Sequence, residues 1–310
     1  MVMALLLSTI ALRPFVFVFL AAFLLGAIVN FGWRTTLLFM ALTYLVALAC
    51  EWSSVHNGFP FGLYHYVETT RGREIWIAGV PLFDSLSFTF LGFASYSTAL
   101  LLAAPLYRDG WDLRLLDTWA LRRSPRVWLM AALFMMMVDT VVDPLSVRGD
   151  RWFLGRIFWY DQPGVHFGVP ISNYLGWFLV AAIGIAIFQT LDARMSQGRR
   201  KPRGVVPALP SRALLGPLLY CGIVSFGITM LFRIGAAEIG WASVFMFLPF
   251  LAFALHILTR PETYGARDAI TRHLADFPCD AAYVSVAPET DAISPHASGA
   301  PMRPAARRSR

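Results

Sequence analysis

The stretch that decides the fold is Thr35–Tyr66, which reads TTLLFMALTYLVALACEWSSVHNGFPFGLYHY. Its first half, Thr35–Cys50, contains no charged residue and is followed at once by Glu51 and a loop rich in glycine, aromatic residues and histidine. A helix needs roughly 20 apolar residues to cross the hydrocarbon core of a membrane. The sequence therefore predicts a membrane helix that ends in a polar and aromatic loop.

The composition of the whole chain also indicates a membrane protein. Of the 310 residues, 57% are hydrophobic and 15% are charged, whereas a soluble domain carries about 25% charged residues. The net charge of +7 does not indicate a nucleic-acid partner, because nearly all basic residues lie between apolar runs, where they set membrane topology. The three cysteines are far apart, so we predict neither a disulfide framework nor a cysteine metal site.

Seven apolar runs are candidates for membrane spans. They are Pro14–Phe31, Thr35–Cys50, Leu82–Leu106, Val127–Val142, Ile171–Leu191, Ala213–Phe232 and Ile239–Leu258. Pro144 disfavours helical backbone at Asp143, so the fourth span is expected to stop or kink there. We predict an all-α, polytopic bundle of about seven transmembrane helices over residues 1–259. Residues 260–310 are rich in Pro, Ala, Ser and Arg and are predicted to form a mostly disordered cytoplasmic tail.

The distribution of basic residues predicts the orientation of this bundle. With seven spans, 15 lysines and arginines fall near the helix ends on one face and seven on the other. Basic residues favour the cytoplasmic side. The sequence therefore predicts a multi-pass protein of the cell inner membrane, in contact with the lipid bilayer and with its C-terminus in the cytoplasm.

Polar residues cluster at helix ends on the less basic face. They are Glu51, Asp84, Asp139, Asp143 and Asn173. The two loops on this face, Trp52–Pro81 and Pro144–Pro170, both end in Gly-Val-Pro, which by itself can be a device for starting a helix.

The spacing of Asp139 and Asp143 is i, i+4, which places both on one helical face. Because ionised acids are costly within hydrocarbon, such residues usually face a bundle interior and have a function there. The alternative for Asp143 is a position at the water interface, paired with Arg148 or Arg151. A buried carboxylic acid would be suited to donate a proton.

The remaining polar and aromatic residues leave several interpretations open. His56, His65 and His166 show no metal-ligand spacing, so no metal site is predicted. Aromatic residues near the polar helix ends either form an interfacial belt or line a cavity whose ring faces stabilise a carbocation. The sequence has no P-loop, G-x-G-x-x-G or G-x-S-x-G motif.

Five segments, taken together and in order, resemble one family. They are EWSSVHNGFPFGLYHY, IAGVPLFDSLSF, VDTVVDP, RWFLGRIFWY and FGVPISNYLGW. They are similar to the membrane carotenoid biosynthesis proteins of the carotenoid 1,2-hydratase type, and the similarity runs from about Cys50 to Trp177. The stretch LFDSLSFTF and the residues WSSVHN after Glu51 depart from the usual pattern and indicate a divergent subgroup.

This resemblance implies a polytopic enzyme that adds water across the terminal 1,2 double bond of an acyclic carotenoid. Such enzymes use no cofactor and work beside other carotenoid biosynthesis enzymes. Asp139 and Asp143 would form the acid/base pair, with Glu51 as an alternative acid. The substrate would contact residues near the polar helix ends, namely Tyr64, Tyr66, Asn173, Trp177, His56 and Asp84. Two alternatives stay open: another carotenoid-modifying enzyme, such as an isomerase or a transferase partner, and a non-enzymatic protein that binds or transports an apolar ligand.

Overall fold

The computed structural model describes residues 2–196, 208–260 and 264–284. Seven of its helices are long and apolar enough to cross a membrane, and the protein is an all-α polytopic bundle. The seven are α2 (Pro14–Phe31), α3 (Trp33–Asn57), α4 (Leu82–Ala103), α6 (Pro125–Ser146), α7 (Ile171–Ser196), α8 (Leu215–Arg233) and α9 (Ala237–Thr259). All seven predicted spans are confirmed.

Shorter elements lie between and beside these helices. They are the helices α1 (Val2–Leu12), α5 (Trp119–Arg122) and α10 (Arg267–Asp276), and the strands β1 (Tyr64–Tyr66), β2 (Trp76–Ile77), β3 (Val80–Pro81), β4 (Leu106–Asp109), β5 (Asp112–Leu115) and β6 (Phe158–Tyr160). The strands form three antiparallel ribbons, which pair β1 with β6, β2 with β3, and β4 with β5.

Four helices form a ring at the centre of the bundle. Helix α3 packs on α4 and α7, and α6 completes the ring by packing on α4 and α7. The backbones of the diagonal pairs, α3 with α6 and α4 with α7, approach each other much less closely. Helices α2 and α8 cover the outside of α4, which is why α4 is the most buried span, while α9 packs at the periphery against α8 and α6. The space enclosed by the ring is therefore bounded by two pairs of consecutive spans, α3 with α4 and α6 with α7.

Two helix ends differ from their predicted positions. Helix α3 continues to Asn57 and is closed by Gly58, whose φ of +80° suits a left-handed cap. Glu51 consequently lies within the helix rather than at its end. Helix α6 does not stop at Asp143 but continues through Pro144 to Ser146. Pro144 has no N–H to donate to the carbonyl of Thr140, and His166 Nε2 lies 3.4 Å from that carbonyl oxygen instead. Arg148 Nη1 donates hydrogen bonds to the carbonyls of Pro144 and Phe167, both at 2.8 Å, at the end of the helix.

The prediction of a disordered tail is wrong for residues 264–284. Helix α10 lies against the loop between α4 and α6, where Leu116, Ala269, Ile270 and Val284 form a small apolar core. His273 Nδ1 lies 2.7 Å from the carbonyl oxygen of Asp117. The remainder of the predicted tail, residues 285–310, and residues 261–263 lie outside the described residues.

Candidate active site

The Gly-Val-Pro segments form the same turn in both loops. In the first, Ala78 and Gly79 have φ of +51° and +82° and connect β2 to β3. In the second, Phe167 and Gly168 have φ of +51° and +96° between the paired residues His166 and Val169. Positive φ at both central residues is typical of a type I′ turn, which suits a two-residue hairpin.

Each turn is followed by a proline and then by a helix. Pro81 precedes α4 and Pro170 precedes α7, so Asp84 and Asn173 each become the third residue of their helix. Gly-Val-Pro is thus more than a helix start, because the hairpin before it fixes the direction from which the helix enters. The two loops use the same local structure to place one polar side chain at the mouth of the ring.

The ribbon β1–β6 joins the two loops directly. Tyr64 pairs with Tyr160, and Tyr66 pairs with Phe158. Successive side chains of a strand point to opposite faces, so the intervening residue His65 points outward, where its Nε2 lies 3.0 Å from Asp161 Oδ1. The aromatic residues on the inner face of the ribbon cover the polar helix ends.

The Gly-Phe-Pro-Phe-Gly turn after α3 places one aromatic ring beside the site. Ser54 Oγ accepts a hydrogen bond from the backbone nitrogen of Phe61 at 2.9 Å, and the Phe61 ring is buried. Gly176 of α7 lets this turn approach closely, since a Cβ there would lie 2.5 Å from Phe61 Cδ1. The turn is therefore held against α7 by packing that requires glycine.

Two carboxyl groups, Glu51 and Asp84, lie on the α3–α4 side of the ring. Ser85 Oγ donates a hydrogen bond to Glu51 Oε2, and Glu51 is buried. The Tyr66 hydroxyl donates to Asp84 Oδ2 at 2.6 Å, and it lies 3.2 Å from the Tyr64 hydroxyl. Each carboxyl group on this side accordingly has a hydroxyl partner.

Two further carboxyl groups, Asp139 and Asp143, lie on the α6–α7 side and share one amide. Asn173 Nδ2 donates to Asp139 Oδ2 at 2.6 Å and to Asp143 Oδ2 at 2.7 Å. Asp139 is completely buried, and its Oδ1 has no hydrogen-bond partner among the described residues. In the described part of the chain no ion pair joins Asp143 to Arg148 or Arg151, so the interface alternative for Asp143 is wrong.

Three tyrosines of the ribbon are held in their protonated form. Burial raises the pKa of Tyr64 well above its ordinary value, and the charges of Glu51 and Asp84 raise it further. Burial also raises the pKa of Tyr66 and of Tyr160, with additional contributions from Asp84 and Asp143 respectively. These phenols therefore remain hydrogen-bond donors throughout the physiological pH range.

The side chains from both sides converge on one small cavity. Its lining combines carboxyl, amide, phenol and apolar aromatic groups. The lining residues are Glu51, Phe61, Tyr64, Asp84, Phe88, Asp143, Phe158, Tyr160, Asn173 and Trp177. The ring of Trp177 stacks on Phe88 with 4.2 Å between centroids. Acidic groups beside flat ring faces are suited to form and stabilise a cation.

Most of the candidate residues from the sequence lie at this cavity. Six line it directly: Glu51, Tyr64, Asp84, Asp143, Asn173 and Trp177. Asp139 and Tyr66 lie one layer behind and act on lining residues through hydrogen bonds to Asn173 and Asp84. His56 is not brought to the site, because it lies on an exposed part of α3 with its Nδ1 2.6 Å from the Trp52 carbonyl oxygen.

Sequence reasoning did not assign Ser85, Phe61, Phe88, Phe158 or Tyr160 to the site. The segment Phe158–Tyr160 is aromatic at all three positions and shows no alternation in sequence, so the burial of Phe158 and Tyr160 and the exposure of Trp159 became visible only in the paired strand. Among the described residues, no group of three or more His, Cys, Asp or Glu side chains is arranged to hold a metal ion.

The fold and this site define a class of protein, namely a polytopic helical membrane protein with carboxyl groups gathered inside its bundle. Within that class, the family model for carotenoid biosynthesis protein matches residues 2–249, so the chain belongs to the carotenoid biosynthesis protein family. The resemblance seen in the five sequence segments is confirmed at this level.

One relative illustrates how far the similarity extends. The chain is similar to the bisanhydrobacterioruberin hydratase of Haloarcula japonica, with 29% identity over 158 residues. The matched region covers 50% of this chain and 45% of that relative, so the chain matches less than half of the relative's length. No solved structure matches the chain.

Proposed function

We propose that the protein is a carotenoid hydratase, which adds water across the terminal 1,2 double bond of an acyclic carotenoid without a cofactor. The family and the hydratase relative support carotenoid chemistry. The observation that carries the proposal is the cavity in which Glu51, Asp84 and Asp143 meet the ring faces of Trp177 and Phe88. Addition of water to an alkene needs these groups: an acid, a surface that tolerates a cation, and a base.

The first step is protonation of the alkene. A proton moves from the Asp143 carboxyl group to C2 of the substrate, the double bond supplies the electron pair, and a tertiary cation forms at C1. Asp143 suits this step because Asn173 holds it beside Asp139, and two buried carboxyl groups so close together are more stable when they share a proton. Asp139 is here a positioning residue.

The second step is capture of the cation by water. The oxygen of water bonds to C1, and a proton of that water passes to Glu51, whose Oε2 is held in position by the hydrogen bond from Ser85. Asn173 and the phenols of Tyr64 and Tyr160 provide polar partners that orient the water. Return of the proton from Glu51 to Asp143 across the shared cavity restores the starting state, and the net change is the addition of one water molecule.

Expression in cells that make lycopene tests this function. The expected result is a pigment heavier by one water in cells with the chain and unchanged lycopene in cells without it, measured by mass spectrometry. A pigment of unchanged mass but altered retention time would indicate an isomerase instead. Unchanged pigments with several acyclic carotenoids would overturn the proposed hydration and favour binding or transport.

We also propose the membrane in which the enzyme lies and its orientation there. The excess of arginine and lysine on one set of loops supports a multi-pass protein of the cell inner membrane with a cytoplasmic C-terminus. The candidate site then lies near the opposite face of the membrane. A reporter enzyme that works only outside the cytoplasm should stay inactive when fused to the C-terminus, and an active fusion would reverse the orientation.

A further inference from the structure

A second cavity adjoins the candidate site. It lies among α2, α4, α6 and α8. Four residues line both cavities: Asp84, Asp143, Phe158 and Trp177. The polar cavity and this second space, which we name the apolar groove, therefore meet at two of the carboxyl groups.

The apolar groove becomes more aromatic and more exposed away from the site. At its inner end Phe158 and Trp177 are buried. At its outer end Phe15 of α2 and Phe226 of α8 are partly exposed, and their rings lie 5.6 Å apart with an angle of 18° between planes. The groove thus leads from the carboxyl groups to a pair of contacting, partly exposed rings between α2 and α8, which pack on each other there.

We propose that the apolar groove binds the body of the polyene substrate, which enters sideways from the membrane between α2 and α8. This rests on the proposed function, because it takes the substrate to be a long acyclic carotenoid. A rigid conjugated chain gains dispersion energy against flat aromatic walls. Only its end group then reaches Asp84 and Asp143, while the polar cavity beyond them accommodates the water.

The lining of the groove favours a neutral polyene over a phospholipid. Its polar residues are Asp84, Asp143, Ser87 and Ser146, and in the part of the chain that the structure describes no lysine, arginine or histidine lines it. A phosphate group would gain no cationic partner there and would approach two carboxyl groups. The nearby guanidinium of Arg13 is already paired, since its Nε lies 3.0 Å from Glu74 Oε2. A neutral hydrocarbon meets no such penalty.

Two substitutions on opposite walls test this path. Ile223→Trp on α8 and Ser87→Phe on α4 each add bulk to the groove lining, whereas Gly222→Trp is the matched control, because a Cβ at Gly222 meets nothing within 4 Å. Each variant is purified from lycopene-producing cells, and the pigment bound per protein is measured by absorption. Each groove variant should retain at least about fivefold less pigment, and the control should retain the wild-type amount.

The outcomes separate the groove from the proposed reaction. Pigment retained at the wild-type level by both groove variants, equal loss in Gly222→Trp, or phospholipid bound in place of pigment would overturn the groove. Size-exclusion profiles identify a misfolded variant. If one groove variant misfolds, the pigment retained by the variant on the other wall tests the groove. If the groove variants lose pigment but the wild type never adds water, the groove is supported and hydration is refuted. If the wild type adds water but the groove variants bind pigment normally, hydration is supported and the groove is refuted.

Discussion

At the residue scale, the arrangement of Asp139, Asp143 and Asn173 decides which carboxyl group can meet the substrate. The i, i+4 spacing predicted that both acids share a face of α6, and the shared Asn173 amide confirms it. The sequence placed Asp139 one turn deeper than Asp143 and assigned the two together to an acid/base pair. In the structure Asp143 lines the cavity and Asp139 does not, so depth in the helix is a poor guide to access.

This difference predicts unequal effects of two matched substitutions. Asp143→Asn removes the proposed proton donor and should lower water addition by about 10²–10⁴-fold, the usual contribution of an acid catalyst. Asp139→Asn keeps a side chain that can still bond Asn173, so its loss should be at least about tenfold smaller. Rates of product formation in isolated membranes measure both.

The control for these substitutions is Asp150→Asn, because Asp150 is exposed and lies outside the cavity. It should leave the rate unchanged. Equal losses in Asp139→Asn and Asp143→Asn would contradict the positioning role of Asp139. Wild-type rates in both variants would show that neither aspartate is the acid catalyst.

At the element scale, the two hairpins that carry Gly-Val-Pro are equivalent structures in different parts of the chain. Each consists of a two-residue turn with positive φ, a proline and the start of a helix. The sequence showed the repeated tripeptide but not its geometry, because neither Ala78 nor Phe167 is a residue that favours positive φ. The strain at these turns is sustained by the strand pairing and helix packing around them.

Two substitutions in the first turn, Gly79→Val and Ala78→Gly, should change the free energy of unfolding in opposite directions. Gly79→Val places a β-branched residue at φ +82° and should lower the free energy of unfolding by about 1–2 kcal/mol. Ala78→Gly relieves a non-glycine residue at φ +51° and should raise it by up to about 1 kcal/mol. Thermal denaturation in detergent compares them.

This turn suits the test because a side chain at Gly79 would not collide with packed neighbours. A Cβ at Gly79 would meet nothing within 4 Å, so any effect of Gly79→Val reports the backbone alone. Gly222→Val, at an open helical position without positive φ, is the control for added bulk. A loss as large in Gly222→Val as in Gly79→Val would contradict the backbone explanation.

At the scale of the whole molecule, the two ends of the bundle are held by different chemistry. One end carries the carboxyl cavity and the β1–β6 ribbon. At the other end, α10 is attached to the loop before α6 by the pair of His273 and Asp117 and by a small apolar core. His273 is buried there, with its Nε2 3.3 Å from Asp280 Oδ2 and its Nδ1 3.6 Å from Asp117 Oδ1.

This attachment should depend on pH. Burial alone lowers the pKa of His273, but the hydrogen bond to Asp280 and the charge of Asp117 outweigh it and raise the pKa above the ordinary value. A group whose pKa is raised on folding stabilises fully below its unfolded pKa of about 6.5, and this stabilisation is lost as pH rises through the folded pKa. Hydrogen exchange in Arg267–Asp276 should therefore become faster, relative to its intrinsic rate, as pH rises.

The variant His273→Gln separates this effect from a general change with pH. It should exchange faster than wild type at low pH and show little further pH dependence, while exchange in α4 stays the same in both proteins. Protection of α10 that increases with pH in the wild type would contradict the assignment to His273.

The sequence by itself determined the seven spans and the kinds of side chain at their ends. These properties are local, since hydropathy over about 20 residues decides whether a helix can cross a membrane. Only the tertiary structure decided which of those side chains meet. Pairing of β1 with β6 and the ring of four helices bring Glu51, Asp84 and Asp143 to one cavity and leave His56 outside, because proximity across long separations depends on packing between elements. Helix α10, polar in composition, was invisible to hydropathy and is ordered by its contacts with the loop before α6.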